Sequence, residues 1–244
     1  MSQHLAPALG CVVAFIMFVS PLWSVLDIRK QQQLGNLNPV PLVAIIANCA
    51  IWLIYGCINQ DVYVILANLP GLHLGFFMTV SCYGFAGGKL RDTMMKVLLF
   101  FVLVISVAGV GISLLVTDRE ARSKAAGYAA VFVLLCYYTA PLGTLTEVIR
   151  TRSSASLYWP SSVMNAVNGS LWVAYGTAVG DNFIFYPNCV GLCCGLVQIA
   201  LCVVLPSKPA ASDRGGPLDG DEDHDVRSLL HTHRTDEEQR TGPQ

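Results

Sequence analysis

Charged residues are scarce in this sequence and unevenly placed. Asp, Glu, Lys and Arg make up 13% of the 244 residues, whereas 54% are apolar. That balance excludes the charged surface of an ordinary soluble protein. The charges gather in short clusters and in the segment after Lys208, with long uncharged stretches between them. These stretches predict an integral membrane protein, embedded in a lipid bilayer.

Motifs that carry enzyme chemistry are also missing. No nucleophile with its base, no metal-ligand spacing and no phosphate-binding loop occurs in a plausible context. We therefore expect no catalytic residue, metal, cofactor or nucleic-acid partner. All nine cysteines fall inside predicted membrane spans, unlike the pattern of a disulfide framework. No Asp, Glu, Lys or Arg lies at the middle of a span, where ion-coupled transporters usually need one.

Seven stretches are long enough to cross about 30 Å of hydrocarbon as helices. They predict an all-α, polytopic membrane protein with seven transmembrane helices. The first stretch is too long for the core of a signal peptide, so we expect it to remain in the mature protein. The predicted spans cover residues 5–26, 41–58, 62–88, 97–117, 125–146, 159–179 and 182–207.

Basic residues in the short loops indicate the orientation. With the N-terminus outside, the outer loops hold only three basic residues, which Asp118 and Glu120 partly offset. We therefore expect the N-terminus outside and the C-terminus in the cytosol. The inner side then carries Arg29, Lys30, Lys89, Arg91, Lys96, Arg150 and Arg152.

The composition changes after Pro206, where large apolar residues become rare. This change predicts a disordered cytosolic tail at 207–244. Within it, Asp225 and Leu229-Leu230 resemble an acidic dileucine sorting signal.

The first part of the chain recurs in the second at a constant offset of 120 residues. The offset predicts a three-helix repeat at 1–92, a linker helix at 93–120 and a second repeat at 121–206. Because three crossings invert a directly appended copy, the linker restores the direction and makes the two bundles parallel, in a 3+1+3 arrangement. The offset superimposes Pro21 on Pro141, Asn48 on Asn168, Trp52 on Trp172, Tyr55 on Tyr175, Asp61 on Asp181, Asn68 on Asn188, and Gly71 on Gly191.

Ser20-Pro21-Leu22, Asn68-Leu69-Pro70-Gly71 and the two Trp-x-x-Tyr-Gly stretches resemble the SWEET family of sugar transporters. The resemblance implies a passive, bidirectional uniporter of mono- or disaccharides that works by alternating access. It also implies assembly into homo-oligomers in the plasma membrane or the Golgi and other internal membranes. Four prolines, Pro21, Pro41, Pro141 and Pro160, would then act as hinges of an inner gate.

The repeated polar and aromatic residues are the candidate substrate site. Trp52 and Trp172 offer ring faces to the C–H face of a sugar, and the amides of Asn68 and Asn188 both donate to and accept from hydroxyls. Asn48, Trp52 and Tyr55 follow one another at intervals of four and three residues, which places them on one face of a helix. Polar side chains that simply join membrane helices remain an alternative for Asn68 and Asn188.

Two acidic residues follow the repeated tyrosines in the outer loops. Asp61 and Asp181 lie six residues after Tyr55 and Tyr175. Each carboxylate can accept a hydrogen bond from a tyrosine hydroxyl across the axis, which predicts an outer gate. Solvation of the loops is the alternative role of the two aspartates.

Three other functions are alternatives at this stage. A proton-coupled amino-acid exporter of the PQ-loop type is the nearest, but it carries Pro-Gln where this chain has Pro21-Leu22 and Pro141-Leu142. A seven-helix receptor needs no tandem duplication and has inner loops that engage a partner, whereas the loops here are short. The third alternative is a duplicated scaffold that carries no flux.

His73 lies inside a predicted span, but Cys193 replaces it in the other half. We therefore interpret His73 as a packing residue.

Overall fold

The computed structural model of the protein describes residues 2–35 and 37–207, except for the side chains of Ser2 and residues 139–141. The predicted tail, apart from Ser207, and its dileucine-like segment lie outside the described residues. All regular structure within them is helical, which confirms the all-α membrane fold. The helices are α1 (Ser2–Val19), α2 (Leu22–Gln31), α3 (Val40–Asn59), α4 (Val62–Tyr83), α5 (Gly88–Leu115), α6 (Arg119–Thr151), α7 (Trp159–Val179) and α8 (Asn182–Val204).

Six helical segments are long and apolar enough to cross a membrane: α1 with α2, then α3, α4, α5, α6 and α8. Helix α7, the sixth predicted span, has a similar length of 21 residues. Its polar content is higher because it carries Asn165 and Asn168, and both side chains line internal cavities. The lower hydropathy of α7 thus reflects its inward-facing residues.

The four predicted hinge prolines occupy three kinds of position. Pro21 separates α1 from α2, because a proline lacks the amide hydrogen that continues a helix and its ring crowds the preceding turn. Pro141 lies within the continuous helix α6. Pro41 and Pro160 lie in the first turns of α3 and α7, where the missing N–H leaves no bond unmade.

Six helical elements form a ring around a central axis. Going round, α1 packs on α4, α4 on α3, α3 on α6, α6 on α8, α8 on α7, and α7 on α1. The two halves therefore meet along two seams, α1 with α7 and α3 with α6. Helix α5 lies outside the ring against α3 and α6. The ring leaves space on its axis, between the halves.

Close packing of α7 on α8 depends on Gly195. A Cβ added at Gly195 would lie 2.9 Å from the backbone nitrogen of Ala166, which is too close for a real contact. Small residues at such crossings let membrane helices approach backbone to backbone.

We expect Gly195→Ala to push α7 and α8 apart. The free energy of unfolding should fall by about 1–3 kcal/mol, the usual cost of overpacking. Thermal unfolding of the detergent-solubilised protein measures the change. Gly84→Ala is the matched control, because nothing lies within 4 Å of its added Cβ. An equal loss in both variants would contradict the assignment.

Candidate functional site

Two tyrosine–aspartate pairs join the halves at one end of the ring. The hydroxyl of Tyr55 donates to Oδ2 of Asp181 over 2.6 Å, and the hydroxyl of Tyr175 donates to Oδ2 of Asp61 over 2.8 Å. Each bond runs from one half to the other. The structure therefore brings all four residues of the predicted outer gate together, and we call this end of the ring the closed end.

Each of these aspartates also caps a helix. Oδ1 of Asp61 accepts hydrogen bonds from the backbone N–H groups of Tyr63 and Val64, at 3.0 and 3.1 Å. Asp181 caps α8 in the same way. A carboxylate at a helix N-terminus satisfies free N–H groups and is favoured by the helix dipole. The cap holds the carboxylate in place, so that its second oxygen is available to the tyrosine of the other half.

The predicted tryptophans lie next to these tyrosines. Trp52 meets Tyr55 edge to face with ring centroids 5.5 Å apart, and Trp172 meets Tyr175 at 5.8 Å. Both indoles are largely buried. On one side, α1 approaches Trp172 closely, since a Cβ added at Gly10 would lie 3.1 Å from its Nε1. The tryptophans thus form the layer directly below the closed end.

A central cavity of about 190 Å³ lies below the closed end, between the halves. All four predicted substrate-binding residues, Trp52, Asn68, Trp172 and Asn188, line it. The described hinge prolines do not: Pro41 reaches only a second cavity. Further lining residues include Phe18, Ile45, Asn48, Tyr137, Tyr138, Asn165 and Asn168.

The amides of Asn68 and Asn188 are bound to their own helices. Nδ2 of Asn68 donates to the carbonyl of Val64 over 2.9 Å, and Nδ2 of Asn188 donates to the carbonyl of Ile184 over 2.7 Å. These bonds span one helical turn and do not join neighbouring helices. Each leaves the side-chain oxygen of the amide without a donor among the described residues. Both half-buried asparagines can therefore accept from a ligand hydroxyl.

Asn48 and Asn168 are site residues that the sequence prediction placed on the tryptophan face but did not assign to substrate. Both line the central cavity, and the side-chain oxygen of each is buried without a hydrogen-bond partner among the described residues. An unpaired buried polar atom is costly, and the cavity that these side chains line is where they can gain a partner. The available signal was their position four residues before Trp52 and Trp172, in both copies.

A larger cavity of about 550 Å³ continues from the central one toward the end opposite the Tyr–Asp pairs. It reaches Asn38 and Pro41 near the start of α3, and Gln198 on α8. We call this cavity the vestibule and this end of the ring the open end. Both cavities share Tyr137, Tyr138, Asn165, Asn168 and Asn188.

The linings of both cavities contain no Asp, Glu, Lys, Arg or His within the described part of the chain. His73 points to the outer surface of α4, where its Nδ1 lies 2.8 Å from the carbonyl oxygen of Leu69. It therefore does not pack between helices, because the surface position lets it bond to its own backbone. The site consists of neutral amides and aromatic rings.

Residues 5–89 and 124–210 each match the family described as "Sugar efflux transporter for intercellular exchange". The chain is 28% identical over 179 residues to the sugar transporter SWEET1 of Drosophila pseudoobscura pseudoobscura, covering 73% of this chain and 79% of that protein. It is 27% identical to the bidirectional sugar transporter SWEET5 of Arabidopsis thaliana, covering 79% and 81%. The corresponding figures for SWEET2a of Sorghum bicolor are 29%, 79% and 80%.

A solved structure of a eukaryotic SWEET transporter has the same fold. The two structures superimpose with a TM-score of 0.74, which covers 83% of this chain and 95% of the other. Their sequences are 23% identical. At that identity the likeness establishes the arrangement of the helices and nothing finer.

Proposed function

The chain belongs to the SWEET family of sugar efflux transporters, and on that premise we propose that it is a passive, bidirectional uniporter of a mono- or disaccharide. The four residues Trp52, Trp172, Asn68 and Asn188 would hold the sugar between the halves. The protein would then move a solute across the bilayer without a covalent step.

The observation that carries this proposal is the pairing of aromatic faces with amides on the axis. Trp52 and Trp172 come from opposite halves and face one cavity, together with four asparagines of the repeat. Amide groups match hydroxyls as both donors and acceptors, and indole faces suit the apolar C–H face of a sugar ring. The neutral lining of the described cavities supports transport without an ion.

Alternating access supplies the mechanism of the proposal. The Tyr–Asp pairs act as the outer gate, and the vestibule leads from the central cavity to the open end. When the pairs separate, the halves rock about the axis and expose the central site on the other side. The prolines Pro21, Pro41, Pro141 and Pro160 are the proposed hinges. Pro21 and Pro141 lack the donor of a helical hydrogen bond, and Pro41 and Pro160 lie where α3 and α7 begin.

The protein is proposed to sit with its N-terminus outside and its C-terminus in the cytosol, so that the closed end faces outward. The basic inner loops support this orientation. The repeats 1–92 and 121–206, with the linker 93–120, are the proposed moving units. We further propose that it assembles into a homo-oligomer in the plasma membrane or in the Golgi and other internal membranes.

Flux in proteoliposomes tests the function. Purified protein should equilibrate labelled glucose, fructose or sucrose across the membrane in both directions, at a rate independent of a pH or sodium gradient. Protein-free liposomes are the control. Accumulation above equilibrium that follows a proton gradient would refute the uniporter mechanism, and the absence of flux with every sugar would refute the function.

A further inference from the structure

Among the positions at which the two copies of the repeat differ, two in the second copy place amide side chains in the vestibule. At the offset of 120, Asn165 of α7 corresponds to Ile45, and Gln198 of α8 corresponds to Met78. In the first half, Ile45 and Met78 both belong to an apolar cluster, and Met78 is fully buried. In the second half, the two amides line the vestibule. Two amides of the vestibule wall in the second half therefore have apolar counterparts in the first half.

Gln198 is a buried amide without a partner. It is 7% exposed, lines the vestibule and forms no hydrogen bond with any residue in the described range. Its polar atoms are open to the vestibule, so they can bond to a ligand that enters from outside. It lies ten residues after Asn188 on α8, about 15 Å farther toward the open end.

Asn165 connects the two cavities. It lines both of them, and it also forms no hydrogen bond with the residues that the structure describes. It precedes Asn168 by about one helical turn, on the side of the open end. Asn168, Asn165 and Gln198 therefore form a series of amides along the second half, from the central cavity into the vestibule.

We propose that Asn165 and Gln198 form a second sugar-binding subsite, in the vestibule, which a sugar occupies between the open end and the central site. The subsite rests on the proposed function. Each amide both donates to and accepts from hydroxyl groups, and Phe101 of α5 adds a buried aromatic ring to the same lining. The volume of about 550 Å³ falls within the usual range for small-molecule sites, roughly 300–1,000 Å³.

A subsite on one side of the central site makes the carrier asymmetric. Sugar that arrives from the open end binds two amides before it reaches the tryptophans, whereas sugar from the closed end meets the tryptophans first. The half-saturation concentration should consequently be lower at the open end. A passive carrier has no net flux when the sugar concentration is equal on both sides. The ratio of the maximal rate to the half-saturation concentration must therefore be the same in both directions. The maximal rate from the open end should then be lower too.

Two substitutions that copy the first half test the subsite. Asn165→Ile and Gln198→Met install the residues that occupy the equivalent places in the other copy. Sugar uptake and efflux are measured separately, in cells that lack sugar transport of their own. Each variant should raise the half-saturation from the open end about threefold to tenfold, the value of one hydrogen bond. The maximal rate from that end should rise in proportion. In Gln198→Met, the half-saturation concentration from the closed end should change less than twofold. In Asn165→Ile, whose position also borders the central cavity, that concentration should rise less than the one from the open end.

Thr79→Val is the matched control. Thr79 is a buried polar residue of α4, and its hydroxyl has no partner among the described residues. It lines neither cavity, so both half-saturation values should stay unchanged.

Three outcomes would overturn the subsite. Unchanged kinetics in both variants would mean that the amides do not meet sugar. An equal rise in half-saturation from both ends would assign them to the central site. A lower maximal rate at unchanged half-saturation would indicate a structural role. All three leave sugar flux in the parent protein, and with it the proposed function. Absence of flux in the parent protein removes both proposals.

Discussion

Replacing both cavity tryptophans with leucine is expected to reduce sugar flux to background. Trp52 and Trp172 provide the two aromatic faces of the central site, and each is 7% exposed. The loss of one buried aromatic contact with a ligand costs about 2 kcal/mol, or about thirtyfold in affinity. If the two losses add, kcat/KM for sugar should fall about a thousandfold in the double variant. Labelled-sugar flux in proteoliposomes measures it.

The chain provides its own controls for this experiment. Its other two tryptophans, Trp23 and Trp159, are 70% and 63% exposed, so Trp23→Leu and Trp159→Leu should keep normal flux. Trp52→Phe and Trp172→Phe retain an aromatic face and should keep more flux than the leucine variants. If phenylalanine and leucine reduce flux equally, the rings fill volume and do not stack on the substrate.

Removal of the two gate hydroxyls is expected to open the closed end. The double variant Tyr55→Phe/Tyr175→Phe keeps the rings but loses both bonds to the aspartates. A hydrogen bond to a charged group contributes about 1.5 kcal/mol or more, so the ratio of closed to open molecules should fall roughly a hundredfold. The accessibility of Cys11 measures this opening. Its thiol is half-buried behind the closed end, with Sγ 3.3 Å from the carbonyl oxygen of Tyr63. A membrane-impermeant thiol reagent should modify it correspondingly faster.

Two controls accompany the gate variant. Cys11→Ser in the same background identifies the labelled thiol, since eight other cysteines are present. Tyr158→Phe removes the hydroxyl of an exposed tyrosine and should leave labelling unchanged. Labelling of Cys11 at the parental rate in the double variant would show that the hydroxyls do not hold the closed end.

Two substitutions of Asp61 distinguish its role in the outer gate from its role as a helix cap. Asp61→Asn keeps a side-chain oxygen for the N-terminus of α4 but removes the negative acceptor for Tyr175. It should open the gate and leave thermal stability nearly unchanged. Asp61→Ala also loses the cap, which typically contributes about 1 kcal/mol, so its melting temperature should be lower. Equal melting temperatures in the two variants would argue against the cap.

The repeat accounts for most of what the sequence could predict. Trp52, Asn68, Tyr55 and Asp61 were identifiable because each is costly in a membrane helix or its end and each recurs at the same offset. Two copies of such a residue indicate a surface on the shared axis, which is why the Trp and Asn residues meet in one cavity. The all-α fold followed from the apolar stretches alone.

Features that differ between the copies could not be predicted in this way. Pro21 interrupts its helix, whereas α6 continues through Pro141, although the offset aligns the two prolines. Asn165 and Gln198 have aliphatic counterparts, so the repeat gave no reason to select them. Their significance depends on a cavity, and a cavity depends on how several helices pack around it, which no local pattern contains.

The crossed Tyr–Asp pairs also limit how the two copies can diverge. Tyr55 finds its acceptor in the second copy, and Tyr175 finds its acceptor in the first. A change at any one of these positions leaves a residue of the other copy without its partner, so compensation must arise about half the chain away. The same two bonds would form between two identical three-helix units. The crossed Tyr–Asp bonds therefore fit an ancestral three-helix protein that formed a homodimer before its gene was duplicated.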